Sequence, residues 1–232
     1  MRMDELARSA FGRALEFFDP FMLFVDMDGH IDERVDCMHQ LLPAESRTAR
    51  VLMDMLPEPV CVEWLDLVRN AMARSTACVG LSVIGGHGFG MLIDPRAEPG
   101  IGAIIMLFRS PLHVVGHGRE RGPGHLELVH HDWGHLASLS RTQLDTLRSL
   151  TMGLSNGQIA EQSCRTRRAI EWHIRHLNRV LHTESREQLA AIGRLAGLEF
   201  FSDVGWSRVL RSRPFRRCSE RGDPLDEPAR EK

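Results

Sequence analysis

With 43% hydrophobic and 26% charged residues in 232, the chain has the balance of a soluble globular protein with room for two modest domains. No apolar run approaches the roughly 20 residues of a membrane-spanning helix, and the N-terminal MRMDELARSAFGRALEFF lacks the apolar core of a signal peptide. Five scattered cysteines (37, 61, 78, 164 and 218) without CxxC spacing suit reduced thiols, so the expected location is the cytoplasm, without a membrane partner.

The net charge of −2 is unevenly spread. Residues 1–138 carry 12 Arg against 19 acids, a net of −7, whereas residues 139–198 carry 9 Arg against 5 acids, a net of +4. An acidic front and a basic back predict two jobs, the second with an anionic partner.

In chain order, residues 11–112 read as an α+β domain. Phe21 to Asp26 alternates as a strand, and Met27-Asp28-Gly29-His30 reads as a turn. Helical text follows in PAESRTARVLMDML and EPVCVEWLDLVRNAMARS, the latter with Val60, Trp64, Leu67 and Ala71 on one face. Three strand-like runs close the zone at 77–84, 88–94 and 101–110. The glycine-rich Gly85 to Gly90 joins two strands rather than opening a helix, so it reads as a hairpin turn and not a phosphate cradle. Cys61 and Cys78 lack the electropositive setting of an activated thiol and read as packing residues.

Residues 113–137, rich in Gly, His and Pro, read as a linker. His131 and His135 stand at i, i+4 with Asp132 between them, but no closed ligand set accompanies them, so no metal site is expected. No nucleophile–base pair is evident either, and the chain reads as non-enzymatic with no assignable cofactor.

Residues 138–198 read as four short helices. Ser140-Arg141-Thr142-Gln143, Ser155-Asn156-Gly157-Gln158 and Ser185-Arg186-Glu187-Gln188 each have the capping-box form, and Thr166 is a fourth N-cap. Leu144, Leu147 and Leu150 give the first helix its apolar face, and Ile159 and Ala160 anchor the second. Ile170, Ile174, Leu177 and Leu181 predict the inward stripe of the third, and Leu189, Ile192 and Leu195 that of the fourth. Arg167, Arg168, Glu171, Trp172, Arg175 and Arg179 then fall on the other side of the third helix. A basic helix one tight turn after a short helix is the arrangement that enters the DNA major groove. From residue 207 to 232 the text reads as a disordered tail.

These residues resemble a known family. LSRTQLDTLRSLTMGLSNGQIAEQSCRTRRAIEWHIRHLNRVL, followed by SREQLAAIGRL, is similar to the LuxR/FixJ-type C-terminal helix-turn-helix, with Gly153 to Glu161, Ile170, His173, Leu177 and Leu181 the most specific pieces. The resemblance implies a four-helix, double-stranded-DNA-binding domain whose third helix reads bases through Glu171, Trp172 and Arg175. It implies phosphate contacts around Arg167, Arg168 and Arg179, and a homodimer contact on the helix from Ser185. Departures are Thr142-Gln143 where Arg-Glu is usual, Ser163 and Arg165 at apolar positions of the turn, Ala169 for Thr and Val180 for Lys. The front zone is similar to a PAS domain in its first strand with the Asp-Gly turn and its last strand ending Phe108-Arg109-Ser110. That resemblance implies a sensor of a small molecule or protein signal. The absence of lysine before Lys232 argues against a phosphorelay receiver, and the absence of tyrosine disfavours an acyl-homoserine-lactone pocket. The expectation is a signal-responsive transcription regulator. Its rival is a protein-interaction adaptor whose divergent turn no longer binds DNA.

Overall fold

The computed structural model describes residues 21–36, 49–95, 102–108 and 125–212. The chain divides into two units, Met1–Asp132 and Trp133–Lys232.

Among the described residues, the first unit is a six-stranded sheet carrying one long helix. Its strands are β1 (Phe21–Val25), β2 (Ile31–Asp36), β3 (Cys78–Ile84), β4 (His87–Asp94), β5 (Ala103–Phe108) and β6 (His125–Glu127), in the order β2-β1-β5-β4-β3-β6. All neighbours are antiparallel except β3 and β6. β5 (AIIMLF) is buried along its whole length, which is why it reads as a continuous apolar run rather than an alternating one. Ala103, Ile105 and Leu107 join the cluster built on helix α1 (Glu58–Arg74) through Val60, Trp64, Val68 and Ala71. Ile104, Met106 and Phe108 pack on the opposite face with Met22, Phe24 and Leu92.

Local signals act as read from sequence at both tight turns. Asp26 Oδ1 accepts the amides of Asp28 (2.9 Å) and His30 (2.8 Å), and Gly29 takes φ 90°, so a carboxylate and a glycine fold the chain back into β2. Gly85 and Gly86, with φ of 58° and 82°, supply the positive angles of a two-residue hairpin between β3 and β4. The helix expected over PAESRTARVLMDML is corrected where it is described. Val51 bridges His30, the Ile31 amide donates to Arg50 O, and only the 3-10 turn Leu52–Asp54 is helical. Pairing with the first turn satisfies the backbone there in place of helix.

The linker boundary also needs correction. Residues 125–127 form a strand on β3, and the segment after them is bolted to the sheet unit by side chains. Glu63 accepts the amides of Val129 and His130, both at 2.8 Å. The Val83 amide donates to His131 Nδ1 (3.3 Å), the Gly85 amide donates to Asp132 Oδ2 (2.8 Å), and Asp132 also exchanges backbone hydrogen bonds with Val83 and Gly86. Its Gly-, His- and Pro-rich composition suggested solvation, but His131 and Asp132 are here the polar pins of the sheet edge. His113 and His117, like the rest of 109–124, lie outside the described residues.

Burial of the His131 ring lowers its pKa from 6.5 to about 3, so it stays neutral in the folded protein. The unfolded chain binds the extra proton as pH falls, so the stabilisation is complete above about pH 6.5 and is lost progressively towards about pH 3. The sheet unit is therefore expected to lose about 1 kcal/mol between pH 7 and 5.5. Urea unfolding at both pH values checks this. His131→Asn, which keeps an acceptor, should flatten the difference.

The second unit holds α2 (Arg141–Thr151), α3 (Asn156–Gln162), α4 (Arg167–Val180), α5 (Arg186–Leu195) and α6 (Asp203–Ser212), with 3-10 turns at Gly134–Ser138 and Leu198–Phe200. The first four start at the caps expected of them. Ser140 and Ser155 make full capping boxes with Gln143 and Gln158, and Thr166 Oγ1 accepts the Ala169 amide at 3.2 Å. At Ser185 the box is half-made, because Gln188 Oε1 takes the Glu184 amide (2.7 Å) instead of the cap residue's own. α6 corrects the expected tail, since Val209 and Leu210 are buried within 207–212. Residues 213–232 lie outside the description.

Candidate nucleic-acid interface

The turn between α3 and α4 is built from residues that depart from the usual apolar pattern. Ser163 Oγ donates to Ile159 O at 2.6 Å, closing the end of α3 with a hydroxyl. Arg165 reaches back to donate to Thr142 Oγ1 on α2 (3.5 Å). Gln143 is buried and spends its amide oxygen on the α2 capping box. Of these, Arg165 cross-links the turn to α2, whereas Ser163 and Gln143 spend their hydrogen bonds within the helix each belongs to or its cap. Arg186 ties the start of α5 to the α3 entry, donating to Asn156 Oδ1 (2.6 Å) and to Leu154 O. The sequence reading missed this role, although an Arg directly after a cap serine and an Asn directly after another were the available signal.

Cys164 turns the corner with φ 52°. The left-handed region costs a side chain of this kind about 1 kcal/mol that glycine does not incur. Cys164→Gly is expected to raise stability by up to about 1 kcal/mol, as read by thermal unfolding of the full chain. A loss of stability would show that the exposed thiol contributes packing.

α4 is turned by a fraction of a step from the expected stripe. Its buried residues are Ala169, Ile170, His173 and Leu177, while Ile174 and Leu181 are half-buried. His173 takes the inward place expected of Ile174. At about 100° per residue, this rotation puts Arg175 opposite the buried side, flanked by Arg168 and Arg179. All three are exposed, as is Arg167, whereas Glu171 and Trp172 are half-exposed. All six expected contact residues therefore lie on one helix, outside its core side. The helix presents them as a basic strip with one acid and one aromatic. The acid is not free, because Arg167 Nε donates to Glu171 Oε1 at 3.2 Å, an i, i+4 pair. Trp172 stacks on His176, with ring centroids 5.3 Å apart and planes at 21°.

α5 departs from expectation at its end. Leu189, Ala190 and Gly193 are buried, Ile192 is half-buried, and Leu195 is 62% exposed. Gly193 sits so close to α2 that a Cβ would lie 1.9 Å from Thr151 Oγ1, so the small residue sets the helix rotation.

No helix carries both His131 and His135, because the first belongs to the sheet unit and the second to the turn Gly134–Ser138. Among the described residues, one group of three possible ligands comes together, Asp26, Asp28 and His30, within 4.8 Å. Its Asp26 carboxylate is already engaged in the β1–β2 turn, both by amides and by His30 Nδ1 at 2.9 Å. No described helix is long and apolar enough to cross a membrane.

Curated proteins give no match. Among solved structures, a Vibrio cholerae VqmA–ligand–DNA complex aligns at 14% identity and TM-score 0.40, covering 84% of this chain and 92% of that one. The Vibrio cholerae VqmA dimer in the absence of target DNA aligns at 17% identity and TM-score 0.36, covering 87% and 93%. A phage VqmA–DPO complex aligns at 15% identity and TM-score 0.35, covering 83% and 92%. Likeness this distant says nothing of function by itself. The family model of bacterial regulatory proteins, luxR family, matches residues 137–192, the segment from the turn before α2 into α5. Over those residues the chain carries a helix-turn-helix domain of the luxR regulatory type.

Proposed function

We propose that the protein is a sequence-specific transcription regulator that binds double-stranded DNA through α4. The observation that carries this reading is the exposed strip Arg168, Arg175 and Arg179, opposite a buried side that fixes its orientation. Arg175 faces base edges, with Glu171 and Trp172 beside it, and Arg167, Arg168 and Arg179 meet phosphates. The protein acts as a homodimer, and the exposed Leu195 gives α5 an apolar contact for its twin. The sheet unit is a PAS-like sensor of a small-molecule or protein signal. Its order of two strands joined by a turn, then the helix α1 and the meander β3–β4–β5, supports that reading. The protein is cytoplasmic and non-enzymatic.

The competing adaptor reading draws on one feature, the Arg167–Glu171 pair, which offsets charge on the DNA-facing side. Equilibrium binding of the full chain to duplex DNA between low and physiological salt separates the two. A regulator loses affinity steeply as counterion release is suppressed, with a log–log slope of about −0.9 per phosphate contact. An adaptor gives no binding to follow.

A further inference from the structure

Among the six side chains directed at DNA, Trp172 alone is uncharged, and it is the one held most firmly. Its ring lies flat on His176 and meets His173 edge-on, with centroids 5.0 Å apart and planes at 79°. His173 is buried in the helical core, so the edge contact ties the indole to fixed structure. A ring held this way has little rotamer freedom left to lose on binding. It is nonetheless only half-buried, in a strip of exposed arginines.

An indole face cannot accept or donate in the plane of a base edge. The apolar group that the major groove offers is the C5-methyl of thymine. Glu171, which could accept from the amino group of cytosine, is held back by Arg167. Arg175, three residues from Trp172, stands about 4.5 Å further along the helix axis, of the order of one base step. We infer that Trp172 is a specificity-determining residue. With one face of its ring braced by His176, the opposite face packs on the methyl group of a thymine at, or next to, the base pair that Arg175 reads. This rests on the DNA-binding reading above and adds the base it selects.

The test begins with selection of a binding site from random duplexes by the full-length protein. Each thymine of the selected half-site is then replaced singly by deoxyuracil, which removes the methyl and leaves pairing intact. Wild-type protein is expected to lose about fourfold in affinity at one position and little elsewhere. Trp172→Ala should be insensitive at that position, and Trp172→Leu, which restores an apolar contact, should recover part of the sensitivity. Circular dichroism of both variants checks that α4 is intact. Wild-type indifference to every uracil, equal sensitivity in Trp172→Ala, or a selected half-site without thymine overturns the inference while DNA binding stands. Failure to bind any duplex overturns the DNA-binding reading itself, and this inference with it.

Discussion

Trp206→Ala is expected to destabilise the helical unit by about 3–5 kcal/mol, enough to leave it largely unfolded near physiological temperature. Trp206 is 3% exposed and stands at the centre of an aromatic cluster. Its ring lies 6.3 Å from Trp133, edge to face, and 5.6 Å from Phe201. Its Nε1 donates to Asp145 Oδ1 on α2 at 2.7 Å. The Arg148 guanidinium lies over it at 5.4 Å and also donates to Phe201 O and to Asp203 Oδ1. Alanine leaves a cavity, strands the Asp145 carboxylate and removes the cation–π contact at once. Denaturant unfolding of the full chain, followed by helical ellipticity, checks the loss. Trp206→Phe should recover most of it, because the ring returns without the indole donor. A chain ended after Phe200 should behave like the alanine variant, although it retains the whole of the luxR-type match. A Trp206→Ala loss below about 1 kcal/mol would mean that α6 is an ornament on a self-sufficient four-helix domain.

Arg175→Ala is expected to weaken binding to the selected DNA site and to blur preference at one base pair, at a cost of about 1–3 kcal/mol in discrimination. Arg175 stands opposite the buried side of α4 and is exposed. Its fork can bridge the O6 and N7 acceptors of guanine. Arg179 lies one turn on towards the end of the helix, where the proposed DNA-binding reading puts a phosphate. Arg179→Ala should therefore weaken binding evenly across sequences and lower the salt slope by about one unit. Titrating both variants against single-base operator changes at two salt concentrations distinguishes the outcomes. If Arg175→Ala keeps full affinity and preference, α4 is not the reading helix and the adaptor reading leads.

Much of the helical unit was legible in the sequence because its signals are local. A cap serine and the glutamine three residues later meet within one turn whatever the rest of the chain does, and at Ser140 and Ser155 they did. Apolar spacing likewise marked α2 through Leu144, Leu147 and Leu150, all buried. The glycine pair at 85–86 and the Asp26–Gly29 turn were legible from positive-φ glycines and a carboxylate that caps amides two and four residues on.

What only the tertiary structure decided depends on partners far away in sequence. The half-step rotation of α4 was settled by which of His173 and Ile174 fits the core, and apolar periodicity chose the isoleucine. Composition marked residues 125–132 as linker because Gly, His and Pro usually stay in water. Their amides and side chains instead found Glu63, Val83 and Gly85 between 47 and 67 positions back, partners that no window of local text displays. α6 was missed for the same reason. Asp203 to Ser212 is short and Arg-bearing, and it becomes structure only because Trp206 reaches Asp145, 61 residues earlier, in the company of Trp133 and Phe201. Caps, turns and amphipathic faces are settled within a few residues, so the sequence alone determines them. Helix rotation and the edges of a domain follow from burial shared between distant segments, and only the folded chain brings those together.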